Sequence, residues 1–401
     1  MDAELARWLV SAAAEPALAA AAAQADPGSL AAAASLRRSN PADHAAAALS
    51  QVALRRKAVG KFGDAAARLF FTRDALEQAT RADVARWRAA RFVVAGATDV
   101  VDLGCGIGAD ALSFAAAGLA VVAVESDPAT AVLAAANLGD AGRVVCGDAV
   151  ELAGGLLADG AAVFADPARR TSSGRTWRVA DLTPSWEFVT GLLPGRVGCI
   201  KAAPGLPSNV IPDGFATTWV SHRGDLVEAS LWSGAWPPGS RTAVLLPTGQ
   251  ELDAGERHDP PVGPIGRYLY EPDPAVIRSG GVGTLADHLG ARAASAGIAY
   301  LHSDVLSTTP FATAFEISDV LPYDERALRA WVQAHGIGVI EIKVRGLDVD
   351  PAVLRKRLRL TGKGSATLVL TPTPEGARAM VARRATPPGS RGVAAAGDRR
   401  E

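Results

Sequence analysis

The sequence predicts an α/β protein whose central sheet is mostly parallel and ends in an antiparallel hairpin, with a helical N-terminal domain and an α+β C-terminal domain. Three observations predict this class. Alanine-rich sequence without strand patterns fills residues 1–95, and β-branched runs alternate with helical stretches over residues 96–250. After a segment rich in Pro and Gly, a second mixture of strands and helices covers residues 263–385. Residues 386–401 have no periodicity and are predicted to be disordered.

Composition indicates a globular protein of more than one domain. The 401 residues are 49% hydrophobic and 21% charged, with a net charge of -1, so there is ample material for buried cores. The three cysteines form no CxxC pair, which argues against a disulfide scaffold or a zinc site and favours a reducing compartment. Because the chain has no basic leader and no long apolar run, we expect a cytoplasmic protein with no membrane span. The cysteine pattern leads us to expect no metal.

The helical domain, residues 1–95, is basic in its second half. From Ser35 to Arg91 there are twelve Arg or Lys and five Asp or Glu, a difference of seven. Two interpretations remain open, a solvated helical face or a surface for phosphate groups. Thr80 and Asp83 have the spacing of a capping box, which predicts a helix N-terminus at Thr80.

The central domain, residues 96–250, has five strand candidates separated by helical stretches, as in βα units on a parallel sheet. Two further candidates, Thr217–His222 and Leu226–Trp232, meet across Arg223-Gly224-Asp225, which predicts an antiparallel hairpin. The five parallel candidates are Asp99–Asp102, Val121–Glu125, Arg143–Cys146, Ala161–Ala165 and Gly195–Lys201.

A glycine-spaced turn follows the first of these strands. Val101 to Asp110 reads VDLGCGIGAD, an apolar run that breaks at Gly104, Gly106 and Gly108 before an alanine-rich helix. Glycines allow positive φ and let a ligand lie against the main chain, and the helix N-terminus supplies free N–H groups. The turn therefore predicts a nucleotide-type site. Its spacing also fits a dinucleotide, with Glu125 as the ribose-binding acid.

Carboxylates at the ends of the strands separate these two cofactors. Asp102 precedes the turn, where it can hold a cationic amine but would repel a pyrophosphate. Asp148 closes the third strand, where a carboxylate can accept a hydrogen bond from an adenine amino group. Asp166 follows the fourth strand, at the carboxyl edge of the sheet where such folds place their chemistry. A nicotinamide-dependent oxidoreductase is disfavoured further, because no Tyr-x-x-x-Lys pattern accompanies the turn.

The ordered runs VVDLGCGIGAD, VVAVESD, VVCGDA and VFADPARR resemble the motifs of the Rossmann-like S-adenosylmethionine-dependent methyltransferases. The hairpin resembles the antiparallel last strands of that family. The resemblance implies that S-adenosylmethionine is the cofactor, with its ribose held by Glu125 and its adenine beside Asp148 and Ala149. It also implies a set of residues along the methionine end, namely Asp102, Gly104, Gly106 and Gly108.

The resemblance extends beyond the central domain. Segments before the first strand, with Tyr270-Glu271-Pro272 and Ile342 to Gly346 in the C-terminal domain, are similar to bacterial methyltransferases that carry a THUMP-like domain. In that group the C-terminal domain is associated with RNA and the N-terminal helices cover the cofactor. This implies that Gln78 reaches the methionine end of the cofactor. Thr80 has two interpretations, the same role or a helix cap.

Asp166 and Pro167 are the predicted catalytic residues. Amino-directed methyltransferases resemble this turn, in which a carboxylate and the following carbonyls accept from an exocyclic amine and direct its lone pair at the methyl group. Here Ala168 and Arg169 stand where that pattern has a second proline and an aromatic ring. We expect Cys199 to be a core residue and not a nucleophile. The predicted substrate-binding residues are Arg169, which can stack on a base or clamp a phosphate, Arg170, Trp177 and Lys201.

The C-terminal domain is also basic. From His335 to Arg384 there are ten Arg or Lys and four Asp or Glu, a difference of six. We therefore hypothesise a methyltransferase that acts on an exocyclic base nitrogen of transfer or ribosomal RNA. Two alternatives remain: a methyltransferase for a protein or small molecule, and a non-catalytic RNA-binding protein with a relic methyltransferase domain.

Overall fold

The computed structural model describes residues 1–157, 160–169 and 181–385, which form two compact units. The first unit comprises the described residues within Met1–Ser240 and Leu246–Gly249, and the second comprises the described residues within Arg241–Leu245 and Gln250–Glu401. The predicted disordered tail, residues 386–401, lies outside the described residues. No helix in the described ranges is both long and apolar enough to cross a lipid bilayer.

Six α-helices fill the first 95 residues, as predicted. Their alanines pack helix against helix at close range, with Ala17, Ala21 and Ala48 almost fully buried beside Leu36 and Val52. Side-chain caps start several of the helices; Ser29, for example, accepts from the amide of Ala32. The helices are α1 (Ala3–Leu9), α2 (Glu15–Ala22), α3 (Leu30–Leu36), α4 (Ala42–Phe62), α5 (Arg73–Gln78) and α6 (Ala82–Val94).

The sheet of the first unit begins with parallel strands that alternate with helices. Each strand is a short apolar run, and β1 and β4 are almost wholly buried. The elements are β1 (Asp99–Leu103), α7 (Ala109–Ala116), β2 (Ala120–Glu125), α8 (Pro128–Leu138), β3 (Arg143–Cys146), α9 (Ala149–Leu156), β4 (Ala162–Ala165), a ribbon of β5 (Ala168–Arg169) and β6 (Leu182–Thr183), α10 (Trp186–Gly191), β7 (Gly198–Ala202), β8 (Ala216–His222) and β9 (Asp225–Ser233).

The strand order confirms the predicted sheet. Within the first unit the strands follow the order β8-β9-β7-β4-β1-β2-β3. Strands β3, β2, β1, β4 and β7 are parallel, and the β8–β9 hairpin is antiparallel and joins the sheet through β9. Arg223 and Gly224 form the hairpin turn, both with positive φ of 56° and 87°. This is the predicted mostly parallel sheet with a terminal antiparallel hairpin.

The register of the sheet brings three predicted site residues together. Phe164 pairs with Asp102 across β1 and β4, and Ala165 pairs with Ile200 across β4 and β7. Asp166 directly follows Ala165 in the chain, and Lys201 directly follows Ile200. Because parallel strands end at the same edge, Asp102, Asp166 and Lys201 meet at the carboxyl edge of the sheet.

The second unit is α+β, as predicted. A seven-stranded sheet has the order β13-β14-β12-β15-β18-β17-β16, antiparallel except for the β16–β17 pair. Leu328 of α13 and Leu354 of α14 are buried in one core with strand residues such as Ile340 and Leu370. The elements are β10 (Arg241–Leu246), β11 (Gln250–Asp253), β12 (Tyr268–Pro272), α11 (Pro274–Ser279), α12 (Val282–Leu289), β13 (Arg292–Ala293), β14 (Leu301–Ser303), β15 (Ala312–Pro322), α13 (Glu325–Ala334), β16 (Ile337–Val344), α14 (Pro351–Leu358), β17 (Gly364–Thr373) and β18 (Gly376–Arg384).

Candidate cofactor and active site

A large cleft in the first unit runs along the carboxyl edge of the parallel strands. Its volume is about 2150 Å³, whereas a pocket for one small molecule measures roughly 300–1,000 Å³. The glycine turn, the ends of β2, β3, β4 and β7, and helices α1, α4 and α5 line it. The cleft therefore has room for a cofactor and for part of an acceptor beside it.

Gly104 and Gly106 of the glycine turn form part of the cleft wall, whereas Gly108 belongs to the same turn but does not line the cleft. Gly104, Gly106 and Gly108 have φ of 84°, 56° and 82°, a conformation that L side chains rarely adopt. A Cβ on Gly104 would also lie 3.4 Å from the main-chain oxygen of Asp166. The turn is held from behind, because the amides of Gly104 and Cys105 both donate to the carbonyl of Val124, at 3.0 and 2.9 Å. The backbone is therefore preformed and open toward the cleft.

Glu125, at the end of β2, is oriented by the same turn. Its Oε2 accepts from the amide of Gly106 at 3.0 Å, and its Oε1 accepts from the amide of Asp127 at 2.8 Å. These bonds fix the carboxylate beside the glycines at the cleft surface. A fixed acceptor at this point is suited to a pair of hydroxyl groups.

Asp148 and Ala149 lie at the start of α9, and both line the cleft. The Oδ1 of Asp148 accepts from the amide of Val150 at 2.7 Å, so this carboxylate is the N-cap of α9. Capping and ligand binding use different lone pairs of one carboxylate, which has two acceptor oxygens. The structure thus gives Asp148 a structural function in addition to its place in the cleft.

Asp102 is the most unusual carboxylate in the site. It is fully buried, and neither of its oxygens has a hydrogen-bond partner among the described residues. Burial, reinforced by the nearby carboxylates of Asp110 and Asp166, raises the pKa of Asp102 well above its ordinary value. An unpaired buried carboxyl beside two other carboxylates is a site that a cationic group would stabilise.

Asp166 and Lys201 form an ion pair on the cleft wall. The Nζ of Lys201 lies 2.5 Å from the Oδ2 of Asp166, and the two side chains are 15% and 33% exposed. Burial works against the ammonium, but the carboxylates of Asp166, Asp110 and Glu228 outweigh it and raise the pKa of Lys201. Lys201 is therefore a charged group bound to the predicted catalytic carboxylate.

Gln78 lies on the cleft wall, in a segment that is held on both sides. The ammonium of Lys61 donates to the carbonyls of Leu76, Glu77 and Ala79, at 2.7, 2.7 and 3.0 Å. On the other side, Thr80 Oγ1 donates to Asp110 Oδ2 at 2.6 Å. Burial, together with the positive charge of Lys201, lowers the pKa of Lys61 to about 8.

The capping box predicted at Thr80 is wrong. Helix α6 begins at Ala82 with Arg81 as its N-cap, and no side chain caps it. Thr80 instead uses its hydroxyl on Asp110, 30 residues away in sequence. The local pattern failed because the hydroxyl of Thr80 is directed toward a buried carboxylate, to which it donates. Only the tertiary structure brings that carboxylate close.

Beneath this segment lies a buried charge network that the sequence did not reveal. Arg88 of α6 is fully buried and pairs with Asp110 of α7 and Glu228 of β9, each at 2.5 Å. Its guanidinium also lies over the ring of Phe164, 4.7 Å from the centroid. Asp110 alone carried a signal, since it falls in the first turn after the glycines. Arg88 and Glu228 are 140 residues apart in sequence.

The remaining predicted site residues are placed only in part. Pro167 follows Asp166 and lines the cleft. Arg169 belongs to β5, but the structure does not describe its side chain, and Arg170 and Trp177 lie outside the described residues. Cys199 is fully buried in the core of the sheet, as predicted.

Several basic residues of the helical region already have partners within the protein. Arg56 donates to the carbonyls of Ala22, Gln24 and Ala25, at the end of α2. Arg55 donates to the carbonyl of Leu69, and Lys57 forms a surface ion pair with Glu77. Lys61 donates to main-chain carbonyls, and Arg88 pairs with buried acids. The positive excess of this region is therefore a weaker indication of a phosphate surface than its residue count suggests.

The described residues include no group of three or more His, Cys, Asp or Glu side chains that could hold a metal ion. The donors present instead fit S-adenosylmethionine. Its ammonium and sulfonium suit a cleft lined by the carboxylates of Asp110 and Asp166, and its ribose suits Glu125. The unpaired Asp102 lies near these two carboxylates but is fully buried and does not itself line the cleft. The fold and this site define an S-adenosylmethionine-binding methyltransferase.

Comparison with known proteins gives the family. The chain is 34% identical over 328 residues to uncharacterized S-adenosylmethionine-dependent methyltransferases from two strains of Mycobacterium tuberculosis, which covers 79% of this chain and 90% of the relatives. It therefore belongs to the S-adenosylmethionine-dependent methyltransferase family. The THUMP domain-like family matches residues 312–384, and a domain family of unknown function matches residues 2–58.

One solved structure has the same fold over most of the chain. A candidate methyltransferase from Porphyromonas gingivalis W83 superposes with a TM-score of 0.77 and covers 93% of this chain and 99% of its own, at 22% identity. The fold predicted from the sequence is thus confirmed from the helical region to the THUMP domain-like region. The protein is an enzyme of the methyltransferase class with S-adenosylmethionine as its cofactor.

Proposed function

We propose that this protein methylates an exocyclic amine of an RNA base. The observation that carries the RNA assignment is a group of exposed cations without acidic partners on the THUMP domain-like region, one of which, Arg355, donates its Nε to the carbonyl of Ile340 at 3.2 Å. Arg355, Lys356, Arg359 and Lys363, called here the α14 basic patch, are exposed around the end of α14. Within residues 181–385 none of the four is in an ion pair, whereas Lys343, Arg357, Arg378 and Arg383 are paired with acids.

An exposed cluster of unpaired cations favours phosphate groups. Each Arg or Lys that neutralises a phosphate releases a counterion, which makes binding strongly dependent on salt. The neighbouring cations are less available, because Glu271, Glu325, Glu375 and Glu316 already occupy them. The resemblance to THUMP-like methyltransferases supports the same assignment.

In the first unit, the roles we propose follow the cleft from the glycine turn outward. Asp102 and the three glycines of the turn serve the methionine end of the cofactor, together with Gln78, which lines the same cleft. Glu125 serves the ribose, and Asp148 and Ala149 serve the adenine. The supporting observations are the preformed turn, the oriented Glu125 carboxylate and the unpaired Asp102.

Asp166 is the group we assign to the acceptor. S-adenosylmethionine supplies a methyl group already activated by its sulfonium, so the protein needs chiefly to orient the acceptor. The carboxylate of Asp166 and the carbonyl of Pro167 accept hydrogen bonds from an amine and direct its lone pair. The lone pair forms the N–C bond, the electrons of the broken S–C bond stay on sulfur, and the excess proton leaves the nitrogen.

The RNA assignment is tested by retention of structured RNA at increasing salt. Replacing the α14 basic patch with alanine should weaken binding at every salt concentration and reduce the slope of log K against log salt by about three to four. The control replaces Arg357, Arg378 and Arg383, which removes charge from the same unit but only from ion pairs. An unchanged slope in the patch variant would contradict the assignment.

A methyltransferase acting on a cationic amine of a protein or small molecule is the second candidate. The observation that favours it is the acidic character of the cleft, whose charged lining includes Asp110, Glu125, Asp127, Asp148 and Asp166. The two candidates are separated by methyl transfer from labelled cofactor to a fractionated cell extract. Label in RNA supports the first, and label in protein or small molecules supports the second. Absence of label, with normal cofactor binding, would indicate a non-catalytic RNA-binding protein.

A further inference from the structure

Lys201 was predicted to bind the substrate, but the structure places its charged end on another residue. The ammonium reaches across from β7 to the Oδ2 of Asp166 at 2.5 Å, and the side chain of Lys201 is only 15% exposed. The pairing of Ala165 with Ile200 puts both residues at the same point of the sheet edge. The contact is therefore built into the register of the parallel strands and is not a chance meeting of surface chains.

The surroundings of this pair are rich in carboxylates. Asp102 of β1, Asp110 of α7 and Glu228 of β9 lie close enough to affect the charges of the pair, and Arg88 of α6 and Lys61 of α4 are further cations near it. The partner that each cation takes therefore decides which carboxylate it holds in place at this edge.

Arg88 is directed at Asp110 and Glu228, and Lys201 is directed at Asp166. Neither of these two cations is directed at Asp102, and burial together with the carboxylates of Asp110 and Asp166 raises the pKa of Asp102. Without Lys201, the carboxylate of Asp166 would lose the ion pair that holds its orientation. A carboxylate accepts through two oxygens, and Lys201 contacts Oδ2, which leaves Oδ1 for an acceptor amine.

We propose that Lys201 is a positioning residue that directs the carboxylate of Asp166 into the cleft, and that it does not bind the acceptor itself. The proposal rests on the proposed role of Asp166 as the group that accepts from the acceptor amine. As the N–C bond forms and the S–C bond breaks, the amine loses one proton. That proton passes to solvent by way of Asp166, which is one third exposed.

The test compares Lys201→Met with Lys201→Arg, using methyl transfer to whichever fraction of the extract is labelled. In Lys201→Met, kcat should fall by about tenfold or more while KM for the acceptor changes by less than about threefold, because the acceptor still binds but its amine is no longer oriented. Lys201→Arg should restore kcat. Lys57→Met is the matched control, since it removes a lysine of the same cleft that pairs with Glu77 and does not touch Asp166.

Two measurements do not depend on turnover. Calorimetry should give Lys201→Met an affinity for S-adenosylmethionine within about threefold of the parent. A double-mutant cycle of Lys201→Met with Asp166→Asn, read from urea unfolding, should show coupling of at least about tenfold in the unfolding constant. An unchanged kcat in Lys201→Met, or additive effects in the cycle, would overturn the proposal. If the double-mutant cycle shows coupling but the methyl label is found in protein and not in RNA, the proposed RNA function is refuted and the role of Lys201 stands.

Discussion

Thr80 and Asp110 are joined by a hydrogen bond of 2.6 Å between hydroxyl and carboxylate. The other oxygen of Asp110 binds Arg88, which in turn binds Glu228. One carboxylate at the start of α7 thus connects the segment of Gln78, the helix α6 and the hairpin strand β9. The cofactor wall and the buried charge network are therefore parts of one structure.

This network predicts a large loss of stability in Arg88→Met. Asp110 and Glu228 would remain buried without a cation, and breaking a buried pair in this way costs about 3 to 5 kcal/mol. Urea unfolding measures the loss. Replacing all three charges, with Arg88→Met, Asp110→Asn and Glu228→Gln together, should recover much of it, because no charge is then left unpaired.

Arg86 is the matched control for this prediction. It lies two residues from Arg88 on the same helix, but it is exposed and pairs with Asp83 on the surface. Arg86→Met should change the free energy of unfolding by less than about 1 kcal/mol. Equal losses in Arg86→Met and Arg88→Met would show that the buried network does not stabilise the fold.

Asp102→Asn should stabilise the free protein and weaken cofactor binding. Because burial raises the pKa of Asp102 in the folded state, its carboxyl opposes folding increasingly as the pH rises above the ordinary value. The variant should therefore gain roughly 1 to 3 kcal/mol of stability, and the gain should increase from pH 5 to pH 8. Affinity for S-adenosylmethionine should fall at least about tenfold, because the variant loses the carboxylate that we propose as the partner of the cofactor's amine.

The same residue predicts proton release on cofactor binding, since a cationic ligand favours the carboxylate form of Asp102. Calorimetry in buffers of different ionisation enthalpy measures the released proton, and affinity should rise with pH. Asp99→Asn, at the other end of β1, is the control and should alter neither quantity. Unchanged proton release in Asp102→Asn would assign the proton to another group.

His302 predicts an acid-sensitive step in stability. It is fully buried in β14, neither ring nitrogen has a partner among the described residues, and burial with the charge of Arg292 lowers its pKa to about 4. The unfolded chain takes up this proton near pH 6.5, so stability is full above that pH and declines by about 3 kcal/mol as the pH falls toward 4.

The measurement is the free energy of unfolding against pH for the parent and for His302→Leu. The difference between them should shift in favour of the variant between pH 6.5 and pH 4. His288→Leu, which replaces an exposed histidine of α12, should follow the parent curve. A constant difference between parent and His302→Leu would refute the prediction.

The three cysteines should react with iodoacetamide in a fixed order. Cys146 is exposed, Cys199 is fully buried, and Cys105 is partly buried in the glycine turn. Burial, with the nearby Asp102 and Glu125, raises the pKa of Cys105 well above its ordinary value, so little reactive thiolate forms at pH 8. Mass spectrometry should find Cys146 modified first. Modification of Cys105 at an equal rate would show that its thiol is not suppressed.

The sequence alone determined the order of the elements and the cofactor. The glycine turn from Gly104 to Gly108, the acid at Glu125 and the hairpin across Arg223 and Gly224 are local signals, because turns and strand ends depend on residues close in sequence. The fold and the family followed from these signals. The structure gives positions for most of the predicted site residues, and their roles remain predictions.

Only the tertiary structure decided which groups neutralise one another. Asp166 and Lys201 are 35 residues apart, and the parallel register of β4 and β7 brings them into contact. Arg56, Lys61 and Arg88 counted as surface charge in the sequence, yet their partners are carbonyls and buried acids on other elements. Electrostatic pairing depends on distance in space, which a residue count does not contain, whereas backbone conformation depends largely on near neighbours in the chain.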